Sequence, residues 1–453
     1  MKKLAIVLLF SFTYVLLGTI INIPADYSTI TEGIFNAVDT DTVLVAPDTY
    51  YENLNFDGKN IVLASQFLIT GDSSYIEQTI IDGDSLSNVV ILNSGETEEA
   101  KLIGFTITNG YSLAGSGIYI NGSSPEISNN IITNNNMPWY GEGSGIYLKR
   151  SSSQILDNTI EFNNGAVYGG GIEVDTCSTV EIKGNIIRDN ITFSGYGVDY
   201  GGGIMIICSD NIKIEENLIE SNDVAFGKGG AISMHFSTVS INKCTFYDTD
   251  PFGSTIFFSG GELDICNSII WSDDDYEGVC IDTLEGTNSI LAVSYSCLKD
   301  STEGEGNITI DPMFDNFETF ELQVESPCIN GGDPTSELDP DGTVTDMGWR
   351  YFDDTGIENS EIRIQNYELA QNYPNPFNPN TTINFSIPQD NSQIKLAVYN
   401  VKGELVSMLF DGIKNVGKHS TTFDASNLNS GVYYYSLEVN GVKQATKKMV
   451  MIK

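Results

Sequence analysis

The sequence predicts an all-β protein in two parts, a right-handed parallel β-helix followed by a small antiparallel β-sandwich. Three observations carry this reading: a repeat through the middle of the chain, glycines at a fixed place in that repeat, and a change of composition and charge near residue 366. A chain of 453 residues is too long for one compact core, so several domains or a repeat array are required. Hydrophobic residues make up 41%, which rules out wholesale disorder.

The first element is a signal peptide, placed at 1–22. Lys2 and Lys3 precede an apolar run from Leu4 to Leu17, and cleavage is expected between Gly18 and Asn22. No later run is long and apolar enough for a transmembrane span. The β-helix is assigned to 23–352. Near its start, Ser28 to Val38 has the pattern of a short amphipathic helix, with Ser28 or Thr29 as N-cap and Ile30, Ile34 and Val38 facing the core. This helix is expected to cap the bare end of the stacked strands.

The repeat follows. One unit reads Ile127-x-x-Asn130-x-Ile132, and recurs as Ile155/Asn158/Ile160, Ile182/Asn185/Ile187 and Ile214/Asn217/Ile219, the asparagines being 28, 27 and 32 residues apart. A second unit is a glycine-rich corner ending in isoleucine: Ile118, Ile146, Ile172, Ile204 and Ile232. Each short strand can bury its apolar face only by stacking on the equivalent strand one turn away, about 4.8 Å distant. Stacked isoleucines then form the core, stacked asparagines bond along the axis, and glycine fits the corners.

Register turns the repeat into surface columns. One residue past each corner isoleucine stand Tyr119, Tyr147, Glu173, Met205 and Ser233; three past it stand Asn121, Lys149, Asp175, Ile207 and His235. Both columns alternate with the inward isoleucines and are expected to face solvent. The loops before the corners bring Trp139, Tyr140, Glu142, Tyr168, Tyr196, Asp199 and Tyr200 to one edge of this face. Flat rings beside carboxylates suit a glycan, so Tyr119, Tyr147, Trp139, Tyr140, Tyr168, Tyr196 and Tyr200 are the candidate ligand-binding residues. The competing account is that the rings pack on one another and order the loops. Glycoside hydrolysis would need two facing carboxylates, with Glu142, Glu173, Asp175 and Asp199 as weak candidates.

Charge and composition exclude other classes. Residues 23–366 hold 12 basic and 55 acidic side chains, which argues against nucleic acid as a partner. Only two histidines are present, so a plan that needs several is excluded. Asp339-x-Asp341-Gly-Thr-x-x-Asp346 has calcium-like spacing but lacks the EF-hand glutamate; it reads as a turn, with Ca2+ at Asp339, Asp341 and Asp346 the alternative. Seven cysteines (Cys177, Cys208, Cys244, Cys266, Cys280, Cys297 and Cys328) show no CxxC and are read as buried small hydrophobes, an exported location permitting but not demanding a disulfide.

The segment from "IPADYSTITEGIFNAVDTDTVLVAPDTYYENL" and the tail "INGGDPTSELDPDGTVTDMGWRYF" resemble the opening and closing turns of pectin-lyase-like β-helix proteins of bacteria. That superfamily contains lyases, hydrolases, esterases and many non-enzymes, so the resemblance implies a fold and no one activity. The paired aspartates and Gly-His-Gly of related polygalacturonases are absent, and no arginine sits in a pectate-lyase-like motif.

Residues 353–366 form a polar linker. Beyond it, 367–453 carry 8 lysines and 6 acids, with alternating strands at Ile394/Leu396/Val398, Val406/Met408 and Tyr433/Tyr435/Leu437/Val439 and a hairpin signal at Asn440-Gly441. Tyr373-Pro374-Asn375-Pro376-Phe377, Gly431-Val-Tyr433 and the basic tail with Lys447, Lys448 and Lys453 resemble the C-terminal sorting domain of the type IX (Por) secretion system. The resemblance implies export through the periplasm to the medium or outer surface, with the translocon as partner. The leading expectation is a non-catalytic binder of glycans or surface material. A polysaccharide lyase or hydrolase is the first alternative, and a structural adhesin or stalk the second.

Overall fold

The structure is a computed structural model. It describes residues 18–193, 200–225, 227–247, 254–272, 281–283, 288–317, 319–352, 368–369, 372, 375, 377–387, 392–400, 402, 404–414, 417–426, 428, 430–439 and 442–451. The signal-peptide run before residue 18 and the linker 353–366 lie outside the described residues. The chain forms two compact units, Met1–Phe352 and Asp353–Lys453.

The first unit is a parallel β-solenoid with three strands per turn. Its first face stacks Val90–Leu92, Ile118–Asn121, Ile146–Lys149, Ile172–Asp175, Ile204–Ile207 and the start of Ile232–Asn242. The second stacks Lys101–Ile103, Glu126–Ser128, Gln154–Leu156, Glu181–Lys183 and Ile212–Glu215. The third runs from Asp48–Tyr51 through Ile131–Thr133, Thr159–Glu161, Ile186–Arg188 and Ile269–Trp271 to Cys297–Leu298. Register is strict: Ile118 lies opposite Ile146, then Ile172, Ile204 and Ile232, all fully buried. The corners need glycine. Gly143 has φ +60°, and a Cβ at Gly145 would stand 2.5 Å from the Gly171 carbonyl oxygen.

Buried asparagines bind the turns together. Asn158 donates from its amide and Nδ2 to Asn185 Oδ1 at 2.9 and 3.0 Å, and Asn185 does the same to Asn217. The column continues as Cys244, Ser268, Ser296 and Asn307, where serine and asparagine oxygens accept the preceding amides. A second ladder, Asn135–Asn163–Asn190–Asn222, runs beside it. Its spacing is that of the first, but it lies outside the repeat unit read from the sequence.

The helix Ile30–Asn36 packs on the first strands, with Thr29 as N-cap and Ile30 and Ile34 buried. Val38, expected in the core, is 58% exposed, because the chain turns extended at Ala37 and buries that residue instead. Charges close both helix ends. Glu52 accepts from the Ile30 and Thr31 amides, and Lys59 Nζ donates to the carbonyls of Ile34, Phe35 and Ala37. At the other end of the unit a turn-rich segment lays Phe314, Phe320, Met347 and Trp349 on the outside of the third face, covering Leu218 and Ile269.

The second unit has two antiparallel sheets. One holds Glu368–Leu369, Asn380–Ile387 and Gly417–Asp424; the other holds Ser392–Asn400 between Leu405–Lys414 and Gly431–Val439, with Val442–Met451 outermost. Ile394, Leu396 and Val398 face the core opposite Val439, Leu437 and Tyr435. Met408, expected inward, is 39% exposed on its strand. Asn440 and Gly441 lie outside the described residues, and Val439 pairs with Val442 across them.

Candidate functional site

The first face positions the candidate residues through register. Tyr119 pairs with Tyr147, Tyr147 with Glu173, and Lys149 with Asp175. The inner outward column does not face solvent, however. Tyr147, Glu173 and Met205 are 1–2% exposed and Ser233 is fully buried. The loops before the corners cause this: they form a fourth parallel sheet, Asn136–Glu142, Asn164–Tyr168, Ile191–Thr192 and Asp223–Val224, which returns the chain across the column.

Beneath that cover, three of the four carboxylate candidates converge. Glu142 reaches Tyr147 and Glu173 from the loop sheet. Asp175 is paired with Lys149 at 2.5 Å and accepts from the Tyr147 hydroxyl at 3.1 Å. Burial, reinforced by the charges of Glu142 and Asp175, pushes the Glu173 carboxyl well above the usual carboxylate range, and its Oε2 has no hydrogen-bond partner among the described residues. Asp175 moves the other way. Burial would raise it, but hydrogen bonds from Lys149, Thr176 and Tyr147 outweigh burial and hold it low. Burial and the same carboxylates hold the Tyr147 hydroxyl far above its ordinary range. The two carboxyls, two residues apart on a single strand, are thus shifted in opposite directions.

From Glu142 of this cluster a row of side chains runs along the axis. Glu142 lies opposite Tyr168, Tyr168 opposite Tyr200, and Tyr200 opposite Lys228. The Tyr168 and Tyr200 rings stack at 6.2 Å and 18°, and both are half-buried. Tyr200 also packs edge-on to His235 at 4.9 Å and against Phe257 at 5.8 Å, so His235 is sheltered and burial lowers its pKa. Lys228 lies over the Phe257 ring and pairs with Asp282 at 2.6 Å. Tyr119 stacks on Tyr147 at 5.7 Å. Tyr196 and Asp199, and the side chains of Trp139 and Tyr140, lie outside the described residues. Lys228 and Phe257 are not candidates from sequence; the available signal for Lys228 is its place immediately before the corner glycine Gly229, as Tyr168 and Tyr200 precede Gly169 and Gly201.

The calcium expectation meets a different geometry. Asp339 accepts from Lys243 at 2.8 Å and from the Asp346 amide; Asp341 accepts from Thr343; Asp346 accepts from the Asn330 and Phe352 amides. These carboxylates are turned to protein donors and close a turn, and among the described residues no group of three metal-binding side chains converges.

In the second unit, Asn375 Oδ1 accepts from the Val450 amide at 2.8 Å, and the Phe377 amide donates to the Val450 carbonyl. Phe377 is buried, Gly431 pairs with Met451, Tyr433 with Met449, and Lys447 and Lys448 are exposed on the same strand. Pro374, Pro376 and Lys453 lie outside the described residues.

A family model described as a right handed beta helix region matches residues 65–292, half of the chain. The chain belongs to the right-handed β-helix family. A second model, the secretion system C-terminal sorting domain, matches residues 371–453 of this β-helix protein. That tail directs it to type IX secretion, and so to the cell surface or the medium. No helix among its described residues is long and apolar enough to cross a membrane. Among solved structures, the β-helix protein is similar to pectate lyase Pel9A, with 13% identity, a TM-score of 0.37, and coverage of 74% of this chain and 96% of that one. No curated protein matches its sequence.

Proposed function

We propose that the exported solenoid binds glycans or similar surface material without turning them over, along the row Glu142–Tyr168–Tyr200–Lys228. The supporting observation is the stacked, half-buried pair Tyr168 and Tyr200, flanked by an acid on one side and a base on the other. Rings held by packing offer a flat apolar surface at little entropic cost, and flanking charges can bond hydroxyls. A glycan array with the full chain tests this. Binding lost in Tyr168→Ala and Tyr200→Ala, with unchanged melting, supports the reading; binding unaffected by both overturns it.

A second reading has its own support, since the Glu173 and Asp175 carboxyls are shifted in opposite directions, as those of an acid and a charged partner would be. It makes the protein a polysaccharide hydrolase or lyase whose loop sheet must move to admit substrate. Release of reducing or unsaturated ends that disappears in Glu173→Gln would establish it over the first.

A further inference from the structure

The far end of the solenoid holds two cysteines that neither reading uses. Cys297 opens the third-face strand Cys297–Leu298, and Cys328 lies in the turn-rich segment wrapped over that face. Both are fully buried in one apolar cluster with Phe314, Leu322, Met347 and Trp349. The Cys328 thiol faces the Cys297 sulfur inside this cluster, and the Cys297 thiol itself donates to the Ile310 carbonyl at 3.1 Å. The backbone is fixed on both sides of the contact: the Cys297 amide donates to the Ser268 carbonyl at 2.8 Å, and the Cys328 carbonyl accepts from Met347 at 3.0 Å. The other described cysteines are placed differently. Cys177 and Cys244 stand in the side-chain ladders, Cys208 is exposed, and Cys266 is bonded by Ser294.

The sorting tail carries the chain through an oxidising compartment, where neighbouring thiols become disulfides. We propose that Cys297 and Cys328 form a structural disulfide in the exported protein, tying the wrapping segment to the last turns of the solenoid. The bond forms by exchange with a protein dithiol oxidase. One cysteine thiolate attacks the oxidase disulfide and releases one of its sulfurs; the second cysteine thiolate then displaces the other. The pair gives up two electrons and two protons, and the oxidase disulfide becomes a dithiol. The exchange precedes closure of the cluster, because the folded interior leaves Cys328 little thiolate: its Cys297 neighbour and burial hold the thiol far above its ordinary range.

The experiment uses the full chain recovered after export, alkylated in denaturant without reductant, digested and mapped by mass spectrometry. The expected result is a linked pair of peptides carrying Cys297 and Cys328, two hydrogens lighter than their sum, which separates on reduction. Alkylation of both residues without reductant, or linkage of either to another cysteine, overturns the proposal. A melting series reads the stapling role on the same wild-type protein. Reductant should lower the midpoint by roughly 5 °C, and an unmoved midpoint overturns that role. A Cys297→Ser/Cys328→Ser double variant should show no response to reductant.

Discussion

Glu173 sits where its charged form is disfavoured: almost no water reaches it and two carboxylates stand nearby, and Lys149 and the Gly143 amide offset them only in part. Its folded pKa is raised, so the stability it contributes is fully present below the ordinary glutamate range. That stability is lost as pH rises through the folded value. Glu173→Gln cannot ionise. Its stability relative to wild type should therefore climb as pH rises from about 4.3, measured by urea unfolding at a series of pH values. The ladder residues are constrained as tightly. Asn185 donates to Asn217 Oδ1 and the Ile155 carbonyl and accepts from Asn158, all within the interior. Asn185→Leu strands buried amides on both sides and should cost about 3–5 kcal/mol in urea unfolding. The first ladder was legible because its asparagine recurs between two isoleucines; the second, five residues on, was equally spaced but lacked that flanking signature.

Among the elements, the short capping helix depends on residues far from it in sequence. Lys59 bonds three carbonyls at its C-terminal end, so Lys59→Met should lower stability by about 1–2 kcal/mol, seen as a shifted denaturation midpoint. The helix was legible from its isoleucine spacing and Thr29 cap. Its end was not, since nothing in the sequence marks the extended turn at Ala37 that leaves Val38 in water. The loop sheet was the least legible element. Pro138, Gly141 and Gly165 disguise its strands, and their pairing shifts register between Asn136 and Gly141. A column reasoned from alternation to be exposed is thereby buried, and the site moves outward to Tyr168, Tyr200 and Lys228. The corner glycines had the opposite character: each recurs once per turn, so the pairing of Ile118, Ile146 and Ile172 could be counted directly from the chain.

At the scale of the molecule, charge divides the chain as its compact units do. The 51 acidic side chains of residues 23–352 repel one another across the solenoid. Raising sodium chloride from 10 to 500 mM should screen that repulsion and lift the first thermal transition, as differential scanning calorimetry would register. The tail has a separate role. A chain lacking residues 371–453 should accumulate in the periplasm with its solenoid melting as before, which cell fractionation and calorimetry together check. This division was legible because each part is uniform along its length. The ligand was not, because recognition rests on side chains brought together across turns.

The asparagine ladders also give the solenoid a sense of direction. In each, donors reach toward the following turn and the oxygen serves the preceding one, so the side-chain dipoles add head to tail. For a polypeptide that emerges N-terminus first, the growing tip always offers bare N–H groups. A newcomer bringing an amide or hydroxyl oxygen, or at one turn the Cys244 sulfur, at the matching place quenches them. Growth is thus templated one coil at a time, and a chain halted midway would carry a sticky, hydrogen-donating end.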